Sequence, residues 1–152
     1  MTHAYAAEVV TWRYPLPYDC YDVTAVDPAV LADPATGFYA LLDDGDLIGF
    51  RSFGSDGQVP GGTYDESALD TGGGLRPDLV GRGLGFTAIG TGLAFGREQF
   101  RPDAFRVTIA AFNRRALHVL ERLGFIRCDR FLADTDASPY EILIRAEVSR
   151  PR

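Results

Sequence analysis

The residues best suited to bind a ligand form the glycine-rich stretch VGRGLGF, residues 80–86. Its three glycines lack a Cβ, so the backbone can turn tightly there or approach another group closely. An apolar pattern of helical spacing begins directly behind them, which predicts that the loop opens a helix. The first turn of a helix carries unpaired N–H groups and a partial positive charge, and both favour a phosphate.

The loop alone leaves more than one interpretation open. It fits a plain strand-to-helix turn, and it fits a cradle for a pyrophosphate in which Arg82 adds a charged contact. Residues 83–88 also match the G-x-G-x-x-A dinucleotide fingerprint. That fingerprint needs a buried strand just before it and a ribose-binding acid about 20 residues later. Here residues 76–80 contain a proline and Asp103 follows another, so this match is interpreted as accidental.

Composition excludes several classes of function. The chain of 152 residues is most simply one domain, residues 1–152, and its net charge of -6 argues against nucleic-acid binding. It contains no lysine, which excludes a P-loop and any Schiff-base mechanism. No apolar run predicts a membrane span or signal peptide. Cys20 and Cys128 form no metal-type pair, so we expect reduced thiols, no metal and a cytoplasmic protein.

Hydrophobic periodicity predicts a mixed α/β sheet, with strands, the glycine loop, a helix, a strand, a second helix and further strands in that order. The predicted elements are a short N-terminal helix before Pro15, strands at 38–42, 47–53 and 68–75, a helix from the loop to about Phe100, a strand at 105–111, a helix from Asn113 to Gly124, an extended segment at 125–132 and a strand at 140–148.

A second motif follows the strand at 105–111 and runs from Asn113 through Ala116 to Gly124-Phe125. Asn113 is the only asparagine in the chain and is suited to cap a helix, a role compatible with ligand contact. Together with Leu75-Arg-Pro77 and the glycine loop, this motif resembles the GNAT family of N-acetyltransferases over roughly residues 38–148. The resemblance implies a mostly antiparallel mixed sheet with central splayed strands and flanking helices.

The resemblance also implies that acetyl-coenzyme A is the acyl donor and lies between the splayed strands. Its pyrophosphate is expected on the loop amides, its pantetheine at Leu75 and its thioester carbonyl near Gly73, where a bulge and a close approach would both suit glycine. The implied acetyl-coenzyme A contacts are Gly73, Leu75, Val80, Gly81, Arg82, Gly83, Leu84, Gly85, Phe86, Asn113 and Ala116.

Two positions depart from the family pattern. Val80 stands where the family usually has arginine or glutamine, so a side-chain contact is missing there. Leu120 stands where the family often has a tyrosine that protonates the departing thiolate, and leucine cannot donate a proton.

Acetyl transfer also requires a neutral amine. An alkylammonium with a pKa near ~10.4 costs about 4 kcal/mol to deprotonate at neutral pH, and a carboxylate within reach can take the proton. Asp70 is the first candidate base and Glu66 the second. The alternative for each is a solvated carboxylate at a strand end. A slip of one residue across the glycines would turn Asp70 to the other face of its strand.

We therefore expect an acetyl-coenzyme A-dependent N-acetyltransferase that acts on a primary amine of a small molecule or peptide. A non-catalytic acyl-coenzyme A-binding regulatory module is the alternative, kept open by Leu120, and a nucleotide-dependent oxidoreductase rests only on the fingerprint match. The acidic balance favours cationic amines as acceptors. We expect no nucleic-acid or membrane partner, and the sequence leaves open whether the protein forms a homodimer. The aromatic residues Trp12, Tyr14, Tyr18 and Tyr21 either cap the core or wall the acceptor pocket.

Overall fold

A six-stranded sheet carries two helices on each face in the computed structural model, which describes residues 1–148. The helices are α1 (His3–Val9), α2 (Pro28–Ala32), α3 (Gly85–Phe100) and α4 (Arg114–Arg122), and the strands are β1 (Phe38–Asp43), β2 (Asp46–Phe53), β3 (Leu69–Leu75), β4 (Ala104–Ala110), β5 (Ile126–Leu132) and β6 (Pro139–Ala146). Within residues 1–148 no helix has the length and apolarity needed to cross a bilayer.

The strands lie in the order β1-β2-β3-β4-β6-β5, and every neighbouring pair is antiparallel except β3 with β4. This confirms the predicted fold class and the predicted order of elements. The sequence did not predict α2, because five residues are too few to show a helical period. Its local signals are Pro28 at the first helical position and Asp27, whose side chain accepts from the Ala29 amide.

The two faces of the sheet have separate cores, and β2 contributes to both. Phe53 points to the face covered by α3 and α4, which we call the αB face. Phe50 points to the opposite face, covered by α1 and α2, which we call the αA face. The αA core also contains Trp12, so for this residue the interpretation as a core aromatic is correct.

The feature of the sheet that matters most for function is a gap between β3 and β4. These strands pair only at Leu69 with Phe105 and at Asp70 with Arg106, although β3 continues to Leu75 and β4 to Ala110. The predicted splayed strands are thus confirmed. We call the last paired position, Asp70 with Arg106, the fork of the gap. Beyond the fork, each strand has one backbone edge that β3–β4 pairing leaves free, and such an edge can accept or donate hydrogen bonds.

The glycine run in β3 differs from the prediction in one respect. The ladder between β2 and β3 continues without a register shift from Gly49–Leu75 to Phe53–Thr71, so the expected bulge is absent. Close approach, in contrast, is found: a Cβ on Gly73 would collide with the carbonyl oxygen of Phe50.

Helix α3 lies close to the sheet because two of its glycines face β2. A Cβ on Gly92 would lie 2.6 Å from Cγ of Arg51, and one on Gly96 would overlap the ring of Phe53 and lie 3.2 Å from Cε1 of Phe105. Gly90 has more room, since its Cβ would lie 3.7 Å from Cδ2 of Leu123. The glycines therefore set how near α3 can pack.

The close packing predicts opposite effects for two alanine substitutions in α3. Gly96→Ala should lower the free energy of unfolding by about 1–3 kcal/mol, because the methyl group overfills a closed core. Gly90→Ala should raise it by about 0.5–1 kcal/mol, since alanine restricts the unfolded chain and favours helix. Urea denaturation of both variants measures the difference, and stabilisation by Gly96→Ala would contradict the described packing.

Candidate functional site

The glycine loop ends in a group of backbone amides that have no protein acceptor. The amides of Leu79 and Val80 bond back to Arg76 and Pro77, and the first helical bond of α3 runs from the Ala88 amide to the Leu84 carbonyl. Within residues 1–148, none of the amides of residues 81–87 finds an acceptor, and α3 has no side-chain cap. The helix N-terminus is thus open to an anionic group.

Two arginines of α4 stand beside this loop. The Nη1 atom of Arg115 would lie 3.1 Å from a Cβ on Gly81, and the guanidinium of Arg122 stacks 4.7 Å from the ring centroid of Phe86. They supply positive charge next to Val80, which has no polar side chain. Sequence analysis did not assign them to the site, although their spacing of seven residues places both on one face of a helix.

Two tyrosines from the N-terminal aromatic segment lie on opposite sides of the gap. On the β3 side, Tyr14 Oη donates a hydrogen bond of 2.5 Å to the Leu75 carbonyl. On the β4 side, Tyr21 Oη accepts from the Ala110 amide and from Nδ2 of Asn113, both at 3.2 Å. Burial raises the pKa of each tyrosine to about 12, so both stay neutral at physiological pH.

Asn113 is held in one orientation by its capping role. Its Oδ1 accepts from the Ala116 amide at 3.2 Å, as expected for an N-cap, and this directs the amide nitrogen towards Tyr21. The side chains of Asn113 and Tyr21 therefore form one connected group at the β4 side of the gap. The partner of Asn113 was not apparent from sequence, because 92 positions separate the two residues.

Carboxylates lie near both tyrosines: Asp22 Oδ1 accepts from the Tyr14 amide at 2.9 Å, and Asp19 and Asp136 act on the thiol of Cys20, next to Tyr21. Burial and then the charges of Asp19, Asp136 and Asp22 raise the pKa of the Cys20 thiol. Burial also raises the pKa of Tyr140, with smaller contributions from Cys20 and Asp136. This region thus combines aromatic rings with negative charge, and a cation of the protein itself, the guanidinium of Arg115, already stacks 4.8 Å from the centroid of the Tyr18 ring.

Asp70, the first candidate base, lies at the fork of the gap in a buried ion pair. Its Oδ1 accepts from Nε of Arg106 at 2.6 Å, and its Oδ2 accepts from Nη2 of Arg106 at 2.8 Å and from Nε2 of Gln58 at 2.9 Å. Asp70 is only 5% exposed. Both oxygens are already hydrogen-bonded, and Arg106 supplies the counter-charge. The alternative of a solvated carboxylate is therefore wrong for Asp70.

Glu66, the second candidate, is exposed and precedes β3. It lines a shallow cleft with Phe100 and Arg101 at the C-terminal end of α3. The glycine loop is at the other end of this 16-residue helix, roughly 24 Å away at 1.5 Å per residue. The structure therefore brings the loop, Leu75 and Asn113 to one end of the gap and leaves Glu66 beyond its closed end.

Two features considered in the sequence remain, the side chain of Leu120 and metal ligands. Leu120 is 2% exposed and belongs to the αB core, so it is a packing residue. No group of three His, Cys, Asp or Glu side chains within residues 1–148 has an arrangement that could hold a metal ion.

Comparison with known proteins identifies the family. The model of the acetyltransferase (GNAT) family matches residues 3–125, and the chain therefore belongs to that family. No curated protein has a sequence similar enough to match.

Solved structures share the fold at low sequence identity. A chimera of spermidine N-acetyltransferase SpeG from Vibrio cholerae and hSSAT superposes with a TM-score of 0.74 at 15% identity, covering 96% of this chain and 92% of the other. A GNAT-family acetyltransferase from Bacillus anthracis gives 0.63 at 15% identity, covering 95% and 86%. The N-acetyltransferase PseH from Campylobacter jejuni, solved in complex with acetyl coenzyme A, gives 0.54 at 15% identity, covering 73% and 67%.

The buried ion pair predicts that Asp70 matters first for stability. Asp70→Asn leaves Arg106 buried without its main counter-charge, so the free energy of unfolding should fall by about 3 kcal/mol in urea denaturation. Asp65→Asn is the control, because Asp65 contacts the same arginine at 3.1 Å but has a side chain 71% exposed. Its effect should be much smaller.

The opposite result would support the predicted role of Asp70 as a base. An Asp70→Asn variant with wild-type stability and a loss of turnover at every pH would show that this carboxylate accepts the proton of the amine.

Proposed function

We propose that this protein is a single-domain acetyl-coenzyme A-dependent N-acetyltransferase acting on a primary amine of a small molecule or peptide. The observation that carries the proposal is the gap between β3 and β4, which opens at one end onto the free amides of the glycine loop. Membership of the GNAT family supports the acetyl transfer, and the site geometry supports the choice of donor.

The donor fits because each part of the gap offers what one part of acetyl-coenzyme A requires. Free amides and the guanidinium groups of Arg115 and Arg122 suit a pyrophosphate. The amide groups of the pantetheine arm suit the backbone groups of the strand edges that Tyr14 and Tyr21 do not already bind, as an added peptide strand would. The proposed contacts are those expected from sequence, Gly73, Leu75, residues 80–86, Asn113 and Ala116, together with the two arginines.

The reaction needs only direct transfer. The amine nitrogen attacks the thioester carbonyl, a C–N bond forms, and the C–S bond breaks with its electron pair leaving on sulfur. The nitrogen loses one proton to water, and the thiolate later takes one up. Holding the two reactants in line contributes to the rate by itself, because it replaces a bimolecular encounter.

The proposed acceptor is a cationic amine that enters on the αA face. Tyr21 and Tyr140 offer aromatic surface there, and Asp19, Asp22 and Asp136 offer negative charge. A protonated amine is attracted to both. The similarity in fold to a spermidine N-acetyltransferase is compatible with this class of acceptor.

For the two carboxylates named from sequence we propose different roles. Asp70 is proposed as a positioning residue that holds the fork of the gap through Arg106, since both of its oxygens are already hydrogen-bonded. Glu66 has no part in the proposed mechanism, because it lies beyond the paired end of the strands.

Calorimetric titration with acetyl-coenzyme A, with NAD as the control ligand, tests the donor site. Gly85→Ala is the sharpest variant, because its methyl group would meet only Cγ2 of Val119 at 3.7 Å and should leave the free protein intact. If a pyrophosphate lies against the loop, this methyl group should weaken binding by about tenfold, or about 1.4 kcal/mol. Binding of NAD in preference to acetyl-coenzyme A would overturn the proposal.

Turnover with a panel of amines tests the acceptor. Polyamines and peptide amines should be acetylated faster than neutral or acidic acceptors, and added salt should reduce the preference because it screens the charges. Tight binding of acetyl-coenzyme A with no transfer to any amine would instead identify the regulatory module that sequence analysis left open.

A further inference from the structure

Among the described residues 1–148, Arg51 is a buried cation with no counter-charge, located beside the gap. It is 6% exposed, and on β2 it is the register partner of Gly73. Its side chain extends over β3 on the αB face, where Nη1 lies 3.0 Å from the position of a Cβ on Gly73. Gly73 belongs to the part of β3 that has no partner across the gap.

The hydrogen bonding of Arg51 is incomplete. Its Nη2 donates to Oγ1 of Thr71 at 2.9 Å, and within residues 1–148 its Nε finds no acceptor. Thr71 is neutral, so no charge offsets the guanidinium. Burial alone lowers the pKa of Arg51 to about 10, which still leaves the group protonated at neutral pH. Charged side chains are almost never buried in this way unless they are paired.

Two glycines make room for this side chain. A Cβ on Gly92 in α3 would lie 2.6 Å from Cγ and 3.0 Å from Cδ of Arg51, and one on Gly73 would lie 2.9 Å from Cδ. Glycine in the middle of a helix is unfavourable relative to alanine, and glycine also weakens a strand. The chain thus accepts an unfavourable charge and two unfavourable glycines at one place.

We propose that Arg51 is a catalytic residue that stabilises the coenzyme A thiolate as it leaves during acetyl transfer. The inference rests on the proposed function and deepens it. Breaking the C–S bond places a full negative charge on sulfur, and a buried cation interacts far more strongly with such a charge than a solvated one does. The side chain of Leu120, which lies on the same face, has no polar atom that could stabilise or protonate the thiolate.

Arg51 suits this role better than the nearest alternative. Tyr21 Oη accepts two N–H groups and keeps its own proton to donate, but it is neutral, whereas the guanidinium of Arg51 is charged and finds no anion in the described part of the chain. The thiolate supplies the missing counter-charge only while it is being formed, so the interaction favours the transition state over the bound substrate.

Arg51→Met is the test variant, since methionine keeps much of the volume and removes the charge. We expect kcat to fall by about 10²-fold to 10³-fold, while the Kd for acetyl-coenzyme A stays within about threefold, because the charge acts on the departing sulfur. The melting temperature should be unchanged or higher, since an unpaired buried charge has been replaced by an apolar group. Arg51→Lys, which keeps a charge, should recover part of kcat.

A second measurement does not depend on knowing the amine. The thiol of bound coenzyme A is titrated by the ultraviolet absorbance of its thiolate, in difference spectra against ligand-free protein. In the wild type the thiol should ionise at least about one pH unit below its value in solution, as expected for a neighbouring cation, and in Arg51→Met this shift should vanish.

A pair of glycine variants isolates the position of the guanidinium. Gly92→Ala should displace Arg51 and lower kcat, because its methyl group overlaps Cγ. Gly90→Ala in the same helix is the matched control, since its nearest neighbour is Cδ2 of Leu123 at 3.7 Å, and its kcat should equal that of the wild type.

The outcomes separate this inference from the function on which it rests. An Arg51→Met protein with wild-type kcat and an unchanged thiol titration would overturn the role of Arg51 and leave the acetyltransferase intact. An unshifted thiol in the wild type, with weaker coenzyme A binding in the variant, would also overturn it, because Arg51 would then be a ground-state contact. Failure of the wild type itself to bind acetyl-coenzyme A would overturn the proposed function.

Discussion

The ion pair between Asp70 and Arg106 is the constraint on which the rest of the site depends. The two residues are register partners at the last paired position of β3 and β4, so their bidentate contact fastens the strands where they begin to separate. A sheet that stayed paired beyond this point would have no free edge for a ligand. The pair is buried, and hydrogen bonds to both carboxylate oxygens, including one from Gln58, hold its geometry.

Beyond the fork, the gap meets a different environment on each side. Its open end carries the free amides of the glycine loop and the arginines of α4, its αA face carries tyrosines and carboxylates, and its αB face carries Arg51. In the proposed reaction, an anionic donor and a cationic acceptor approach different sides of the same opening.

Local patterns predicted the elements well, and contacts between distant residues explain what they missed. The alternation in β6 and the apolar period of α4 are visible in short windows, and the Asn113 cap is a local signal. The partner of Asp70 lies 36 positions away, and Arg51 stands between Phe50 and Ser52, where nothing in the neighbouring sequence shows which face it takes or that it is buried. The role of a carboxylate depends on such distant partners, and the ion pair of Asp70 with Arg106 is not visible from the neighbouring sequence.

The glycines of β3 and α3 connect stability with function. A strand interior and a helix interior both disfavour glycine, yet Gly73 and Gly92 stand at those positions and face the same arginine from opposite sides. Packing alone would be served better by alanine in the helix and an apolar side chain in place of Arg51. A sequence usually violates local preferences where a site needs it to, and here the violations converge on one guanidinium beside the gap. Burial of apolar side chains in the two cores offsets the stability lost there.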